Sequence, residues 1–278
     1  MESLNPRQQE LLEIVKRDGC ASVDDLAQRF AVSNQTVRRD INRLVDFQLV
    51  RRYHGGASLP SSIENILYDT RQVLFLEEKK RIASLVAEHI PNGASLCIDL
   101  GTTTEEVARA LHGHTGLRVI TNNLNVAMTM SSYRECEVLI CGGVVRASDR
   151  GITDESATDF IRQFKVDIGI IGISGIDYDG SLLDFDCHEV RVAQAIIAHS
   201  RQVYLVADHS KFGRPALVRL AQLSDIDDLF TDRSVPQSME DIFAEANIAV
   251  HVAAGTSPST IQRGAVATAP AADRGESV

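Results

Sequence analysis

Apolar residues recur at helical spacing three times within the first fifty positions. Between Pro6 and Lys16, Leu11, Leu12 and Val15 share a face with the stem of Gln8, and Gly19 supplies a stop, which predicts a first helix over 6–16. Ser22 precedes Val23-Asp24-Asp25, a capping signal in which the hydroxyl takes a free amide and the carboxylate favours the positive helix end; a second helix should run to about Phe30. After Ala31-Val32, Ser33 offers another cap. Val37, Ile41, Leu44 and Val45 then fall at i, i+4, i+7 and i+8, the buried stripe of a third helix whose opposite face presents Gln35, Arg38, Arg39 and Asn42. From Leu49 to Gly56 the pattern changes to a short hairpin turned by Gly55-Gly56, a wing beside the helices.

Pro60-Ser61-Ser62 begins a linker, and a charged helix with apolar periodicity follows from Glu77 to His89, ended by Pro91-Asn92-Gly93. Beyond it, β-rich runs at 95–99, 118–121, 138–141, 166–173, 202–207, 229–231 and 248–252 are mostly separated by helical stretches. That alternation predicts an α/β domain with a largely parallel sheet covered on both faces. The expected organisation is therefore a winged helix-turn-helix over 1–58, a linker over 59–76, an α/β domain over 77–252, and a tail over 253–278 too poor in large apolar groups to order.

Composition narrows the class. With 44% hydrophobic and 24% charged positions in 278 residues, one small and one large core are affordable and bulk disorder is excluded. The amino end lacks a basic segment followed by an apolar core, and no apolar run approaches a membrane span, so a cytoplasmic location without membrane contact is expected. The five cysteines, Cys20, Cys97, Cys136, Cys141 and Cys187, are scattered without metal-ligand spacing and read as small core residues of a reducing compartment; neither a metal nor a cofactor is expected. Net charge is −10, yet residues 1–60 carry +1 and the remainder −11, with cations gathered between Arg38 and Arg52. A local basic patch of this kind matters more for nucleic acid than the chain average.

A helix opened by Ser33, with Gln35, Thr36, Arg38 and Arg39 near its start, suits a major groove: its amides and guanidiniums meet phosphates while Gln and Arg reach base edges. Arg51, Arg52 and His54 on the wing are placed for backbone contacts. The competing reading is a solvated face on a small bundle. The string Val32-Ser33-x-x-Thr36-Val37-Arg38-Arg39-Asp40-Ile41-Asn42-x-Leu44, followed by Arg52-x-His54-Gly55-Gly56-Ala57, resembles the DeoR family of bacterial repressors. The resemblance implies that Ser33, Gln35, Thr36, Arg38 and Arg39 meet double-stranded operator DNA and that Asp40 braces the helix by pairing with a neighbouring Arg.

In the larger domain, Asp99-Leu100-Gly101-Thr102-Thr103-Thr104 sits where a strand feeds a helix, so that small residues, hydroxyls and helix-start amides can cradle an anion. Thr121-Asn122-Asn123, Gly142-Gly143 with Arg146, and Asp208-His209-Ser210-Lys211 occupy three further strand ends, where ligands of open α/β sheets gather. Lys211 can balance phosphate charge. Taken singly, each of these is equally an ordinary polar turn.

The family resemblance extends over about 77–231, carried by Thr121-Asn122-Asn123-Leu124-Asn125-Val126-Ala127, Gly172-Ile173-Ser174-Gly175-Ile176-Asp177 and Asp208-His209-Ser210-Lys211-Phe212-Gly213 among others. It implies an isomerase-like sensor fold related to ribose phosphate isomerases, Gly175 among the ligand residues, glycerol 3-phosphate as inducer, and a dimer or tetramer on palindromic operators. Asp154 and Arg150 depart from the family, standing where glycines are usual, and Asp154 could repel a phosphate. Two alternatives stay open from sequence: a sugar-phosphate isomerase using Asp99, Glu189 or Lys211 as acid or base, and a repressor or activator of another sugar-phosphate regulon.

Overall fold

The computed structural model describes residues 4–18, 20–53, 55–59 and 66–253. His54 of the wing, Pro60-Ser61-Ser62 of the linker and 254–278 of the expected tail lie outside the described residues.

The amino-terminal unit comprises α1 (Pro6–Asp18), β1 (Cys20–Ser22), α2 (Val23–Phe30), α3 (Asn34–Asp46), β2 (Arg51–Tyr53) and β3 (Gly56–Ser58). Both caps form: Ser22 Oγ accepts from Asp25 N at 3.1 Å and Ser33 Oγ from Thr36 N at 3.2 Å. Between them Ala31 takes a left-handed φ of 52°, which reverses the chain in three residues. Leu11, Leu12, Val15, Val37, Ile41 and Leu44 are buried as the spacing predicts, whereas Val45, at the end of the third stripe, is only half-buried. The strand β1 was not legible. It is three residues long, too short to show alternation, and exists by pairing antiparallel to β3 in a sheet ordered β1-β3-β2.

A short helix, α4 (Tyr68–Val73), stands within the predicted linker and leads into α5 (Leu76–His89). The larger unit then runs β4 (Ser95–Ile98), α6 (Thr102–Ala110), β5 (Arg118–Thr121), α7 (Leu124–Met130), β6 (Glu137–Ile140), α8 (Glu155–Ile161), β7 (Val166–Ile171), β8 (Gly175–Ile176), β9 (Ser181–Asp184), α9 (Cys187–Ala198), β10 (Ser200–Val206), β11 (Val218–Gln222), β12 (Asp228–Thr231), α10 (Glu240–Ala246) and β13 (Ala249–Val252). Seven strands form one sheet in the order β13-β12-β10-β7-β4-β5-β6, each pairing parallel.

Strand parity builds two cores. Leu96, Ile98, Ile168, Ile170, Tyr204, Val206 and Phe230 face α5, α6 and α7, whereas Cys97, Ile171, Val203, Leu205 and Leu229 face α8, α9 and α10. Burying both faces explains why these strands read as apolar runs rather than alternating ones. A second sheet, β11-β9-β8, is antiparallel and escaped the sequence reading, because β8 spans two residues and β11 mixes Arg219 and Gln222 with apolar neighbours. Of the cysteines, Cys97 and Cys141 are core residues as expected; Cys20 on β1 and Cys187 at the start of α9 are exposed instead, and Cys136 is half-buried. No helix among the described residues is long and apolar enough to cross a membrane.

This topology positions a site. From β4 the chain winds one way through β5 and β6, then returns to place β7 on the other side of β4. The carboxyl ends of β4 and β7 thus flank a switch point, where loops diverge and leave a crevice.

Candidate DNA-reading face and anion-binding cleft

On α3, Gln35, Arg38, Arg39 and Asn42 are exposed while Val37, Ile41 and Leu44 are buried. Among the described residues no carboxylate pairs with Arg38 or Arg39, whereas Arg43 lies over the Phe47 ring at 4.5 Å. Ser33 and Thr36 hold the start of the helix, their hydroxyl oxygens 3.0 Å apart. Arg51 and Arg52 on β2 are exposed, and Arg52 Nη1 reaches Asn42 Oδ1 at 3.5 Å, which sets the wing beside the polar face of α3. Asp40 is buried at 4% exposure and accepts from Arg7 Nε at 2.6 Å and Gln8 Nε2 at 3.0 Å. The brace expected for α3 is therefore anchored on α1, by a residue 33 positions away. Asp40→Ala should destabilise the amino-terminal unit by about 1–3 kcal/mol, because two donors lose a charged acceptor. Thermal unfolding checks this, and an unchanged transition would show the pair to be idle.

The crevice at the switch point is lined by Asp99, Gly101, Thr102 and Thr103 after β4, by Ser174 after β7, and by Lys211 after β10. Gly101 adopts φ +143°, and a Cβ there would sit 3.2 Å from Thr104 Oγ1. That hydroxyl donates within the turn, with Asp99 O and Gly101 O both 2.8 Å away, so Thr104 shapes the loop while Thr102 and Thr103 open α6 toward the cleft. Helix-start amides and hydroxyls beside a lysine have the chemistry to accept an anion.

The cleft also holds carboxyls. Burial pushes Asp99 up to about 7, against the bonds donated by Leu100 N and Asn122 Nδ2. Burial and the nearby Asp184 raise Glu189 to about 7, opposed by Arg146. Burial lowers Lys211 to about 7, although Asp208 works to keep its proton. Burial would likewise raise Asp208, but Lys211, Lys79 and His209 prevail and hold it below its ordinary value. One side of the cleft thus gathers the start of α6 and Lys211, and the other a group of carboxyls able both to donate to and to accept from hydroxyls.

Of the predicted ligand residues, Asp99, Gly101, Thr102, Thr103 and Lys211 come together here; the others sit around them in different work. Thr121, Asn122 and Asn123 are fully buried. Thr121 donates to Ile98 O at 2.6 Å, Asn122 Nδ2 to Asp99 Oδ1 at 3.1 Å and Asn123 Nδ2 to Glu105 Oε1 at 3.2 Å, a polar scaffold under the cleft floor. Arg146 is held by Asp149 at 2.5 Å, Asp186 at 2.9 Å and Glu189 at 2.5 Å, so it orients Glu189. Gly175 leaves room for Arg214 O, which a Cβ would meet at 2.0 Å. Gly142 and Gly143 are not among the residues lining the cleft, and the Asp154 carboxylate fills the space beside Gly143, 2.6 Å from where a Cβ would be. Asp154 accepts from Val144 N at 3.0 Å and Ala157 N at 3.2 Å, capping α8 and standing outside the cleft lining. Arg150 carries φ +62°, a left-handed backbone that a glycine would adopt without strain. Sequence reasoning passed over Tyr68, Arg71, Glu105, Asp149 and Asp184, which also line the cleft. Tyr68 and Arg71 belong to α4, six residues with no capping side chain to announce them.

Residues 7–63 match the DeoR-like helix-turn-helix domain and residues 75–233 the DeoR C terminal sensor domain. The glycerol-3-phosphate regulon repressor of Escherichia coli (strain K12) is 50% identical over 238 residues, 86% of this chain and 94% of that one. The protein of the same name from Haemophilus influenzae is 50% identical over 239 residues, 86% and 93% of the two chains. A ribose 5-phosphate isomerase A from Neisseria gonorrhoeae aligns with 48% of this chain and 52% of its own at 16% identity and TM-score 0.35, too slight a likeness to carry chemistry. With close relatives that are repressors, the isomerase alternative falls away. Matched in both its helix-turn-helix and its sensor unit, the chain belongs to the DeoR family.

Proposed function

We propose that this protein is a transcriptional repressor that grips double-stranded operator DNA through α3 and the wing and releases it on binding glycerol 3-phosphate. The observation that carries the reading is half identity, across both units, to repressors of the glycerol 3-phosphate regulon. The cleft supports it chemically. A phosphate fits the start of α6 beside Lys211, and the hydroxyls of a short polyol fit Asp99, Asp184 and Glu189. Each recognition helix covers one half-site, so a homo-oligomer, dimer or tetramer, is the form that reads a palindrome. Titrating the protein on a duplex selected from a random pool, with a panel of phosphorylated metabolites, tests the reading; release by a different sugar phosphate and not by glycerol 3-phosphate would reassign the inducer.

The pH dependence follows from the same groups. A bound anion stabilises the Lys211 ammonium and the protonated forms of Asp99 and Glu189, all of which titrate near 7. Binding therefore takes up protons, and affinity falls as pH rises above 7, by up to about tenfold per unit for each proton coupled. Calorimetry in two buffers of different ionisation heat should reveal the uptake. Affinity that is flat or rising between pH 7 and 8.5 would remove these groups from the site.

A further inference from the structure

The helix α4 belongs to two places at once. One side contributes Tyr68 and Arg71 to the cleft. Its flanks belong to the DNA-binding unit: Ile66, Leu74 and Phe75 are buried in the core built around Leu11, Val15, Val37 and Ile41. Leu67 N donates to Gln48 Oε1, just past α3, at 2.9 Å. Tyr68 is tied to the sensor through its hydroxyl, which donates to Glu105 (2.8 Å to Oε1) and accepts from Asn125 Nδ2 at 2.8 Å. Lys79 Nζ donates to the Arg71 carbonyl.

Arg71 itself is incompletely satisfied. Its guanidinium lies 5.8 Å from the Tyr68 ring, and its Nε–H is buried with no hydrogen-bond partner among the described residues. A buried charged donor left unmade is costly, so such a group is poised for an acceptor arriving from outside. Its surroundings decide the sign of that acceptor. Arg71 shares the cleft with Lys211, and their mutual repulsion, together with that of Lys79 and Arg214, helps to lower Lys211. Asp184 and Glu189, across the cleft, draw on Arg71 from the other side. An anion seated between Arg71 and Lys211 would fill the open donor and relieve the repulsion together.

A second line of contact leads the same way. Phe75 packs edge-on to His209 at 4.6 Å, and His209 stands between Asp208 and Lys211 in sequence. Lys16, buried near the end of α1, reaches His209 O at 3.5 Å. The loop that presents Lys211 is thus in contact with the DNA-binding unit.

We propose that Arg71 is a phosphate-binding residue of the cleft and that α4 is the element through which occupancy of the cleft is transmitted to the helix-turn-helix. The proposal rests on the sensing role given above and adds the route. A ligand that grips Arg71 fixes α4, and α4 cannot move without carrying Ile66, Leu74 and Phe75 with it. Ligand binding and DNA binding are then coupled through one short helix rather than through the sheet.

The test uses the full chain as wild type, Arg71→Ala and Arg71→Lys, with glycerol 3-phosphate and inorganic phosphate as probes in calorimetry. Coupling is read for each protein as the ratio of its duplex Kd at saturating glycerol 3-phosphate to its Kd without it. Arg71→Ala should lose about tenfold or more in affinity for both probes, and its coupling ratio should collapse to near one even at saturation. Arg71→Lys, which keeps the charge but not the fork, should fall between. Wild-type probe affinity in Arg71→Ala, or a weakened affinity with full release at saturation, overturns the proposal. If Arg71→Ala fails to fold by circular dichroism, Arg71→Lys is judged by the same two criteria. A wild type that binds phosphate but not glycerol 3-phosphate refutes the inducer while Arg71 is judged on phosphate affinity and on phosphate-driven release; a wild type that binds neither refutes both.

Discussion

Arg39→Ala should weaken binding of a specific duplex by about 10- to 100-fold, the 1–3 kcal/mol that a good bidentate base contact contributes. It should leave affinity for glycerol 3-phosphate unchanged. The reasoning is geometric. Arg39 stands exposed on the face of α3 opposite Val37, Ile41 and Leu44, free of carboxylate partners among the described residues, and α3 is set rigidly by Ser33 at its start and by the Asp40–Arg7 pair along its length. Its loss removes a reader without removing a support. Comparing specific with random duplexes separates two kinds of contact: a base reader loses the difference between them, whereas a phosphate contact weakens both alike and reduces the salt dependence by about one ion. Specific affinity that survives Arg39→Ala intact would take this residue off the DNA.

Lys211→Ala should reduce glycerol 3-phosphate affinity by about 10- to 100-fold, on the basis of 1.5–3 kcal/mol for a charge-assisted hydrogen bond. The repressor should then hold its duplex at inducer concentrations that release the wild type. The loop Asp208–Lys211 is kept in place by bonds independent of the lysine: Ser210 N donates to Asp208 Oδ1 at 2.9 Å, and His209 N to Asp232 Oδ1 at 2.7 Å. Loss of the ammonium should therefore act on the ligand more than on the fold. The loss should shrink as pH rises above 7, since the wild-type lysine is itself discharging there. A Lys211→Ala protein that is released as readily as wild type would exclude the residue from the site.

How much of the structure is legible in the sequence varies with the physics of each part. The helices of the amino-terminal unit announce themselves because a half-buried helix must repeat its apolar residues every three to four positions, as Val37, Ile41 and Leu44 do. The parallel strands were equally plain, since burial on both faces leaves dense apolar runs such as 166–171. Pieces stabilised by partners far along the chain were not: β1 pairs with β3, and β11 with β9, in strands of at most five residues. The cleft was half legible. Glycine and threonine at the end of a strand point to an anion, and Lys211 follows an apolar run in the same way. Nothing local distinguishes a lining residue from one buried behind it, so Asn122 and Asn123 look in sequence like Thr102 and Thr103, though they lie wholly beneath the surface. Arg71 was hidden for the opposite reason. It comes from a polar stretch between units, and only the return of α4 across the switch point brings it to Lys211.

The most direct test is the affinity of the full-length protein for its selected duplex, measured at fixed salt with and without saturating glycerol 3-phosphate. A weaker grip on DNA in the presence of the metabolite is predicted, with the metabolite's own affinity reduced by the same factor when DNA is bound. A duplex affinity that does not change at saturation, or no retention of duplex at moderate salt at all, would contradict the account.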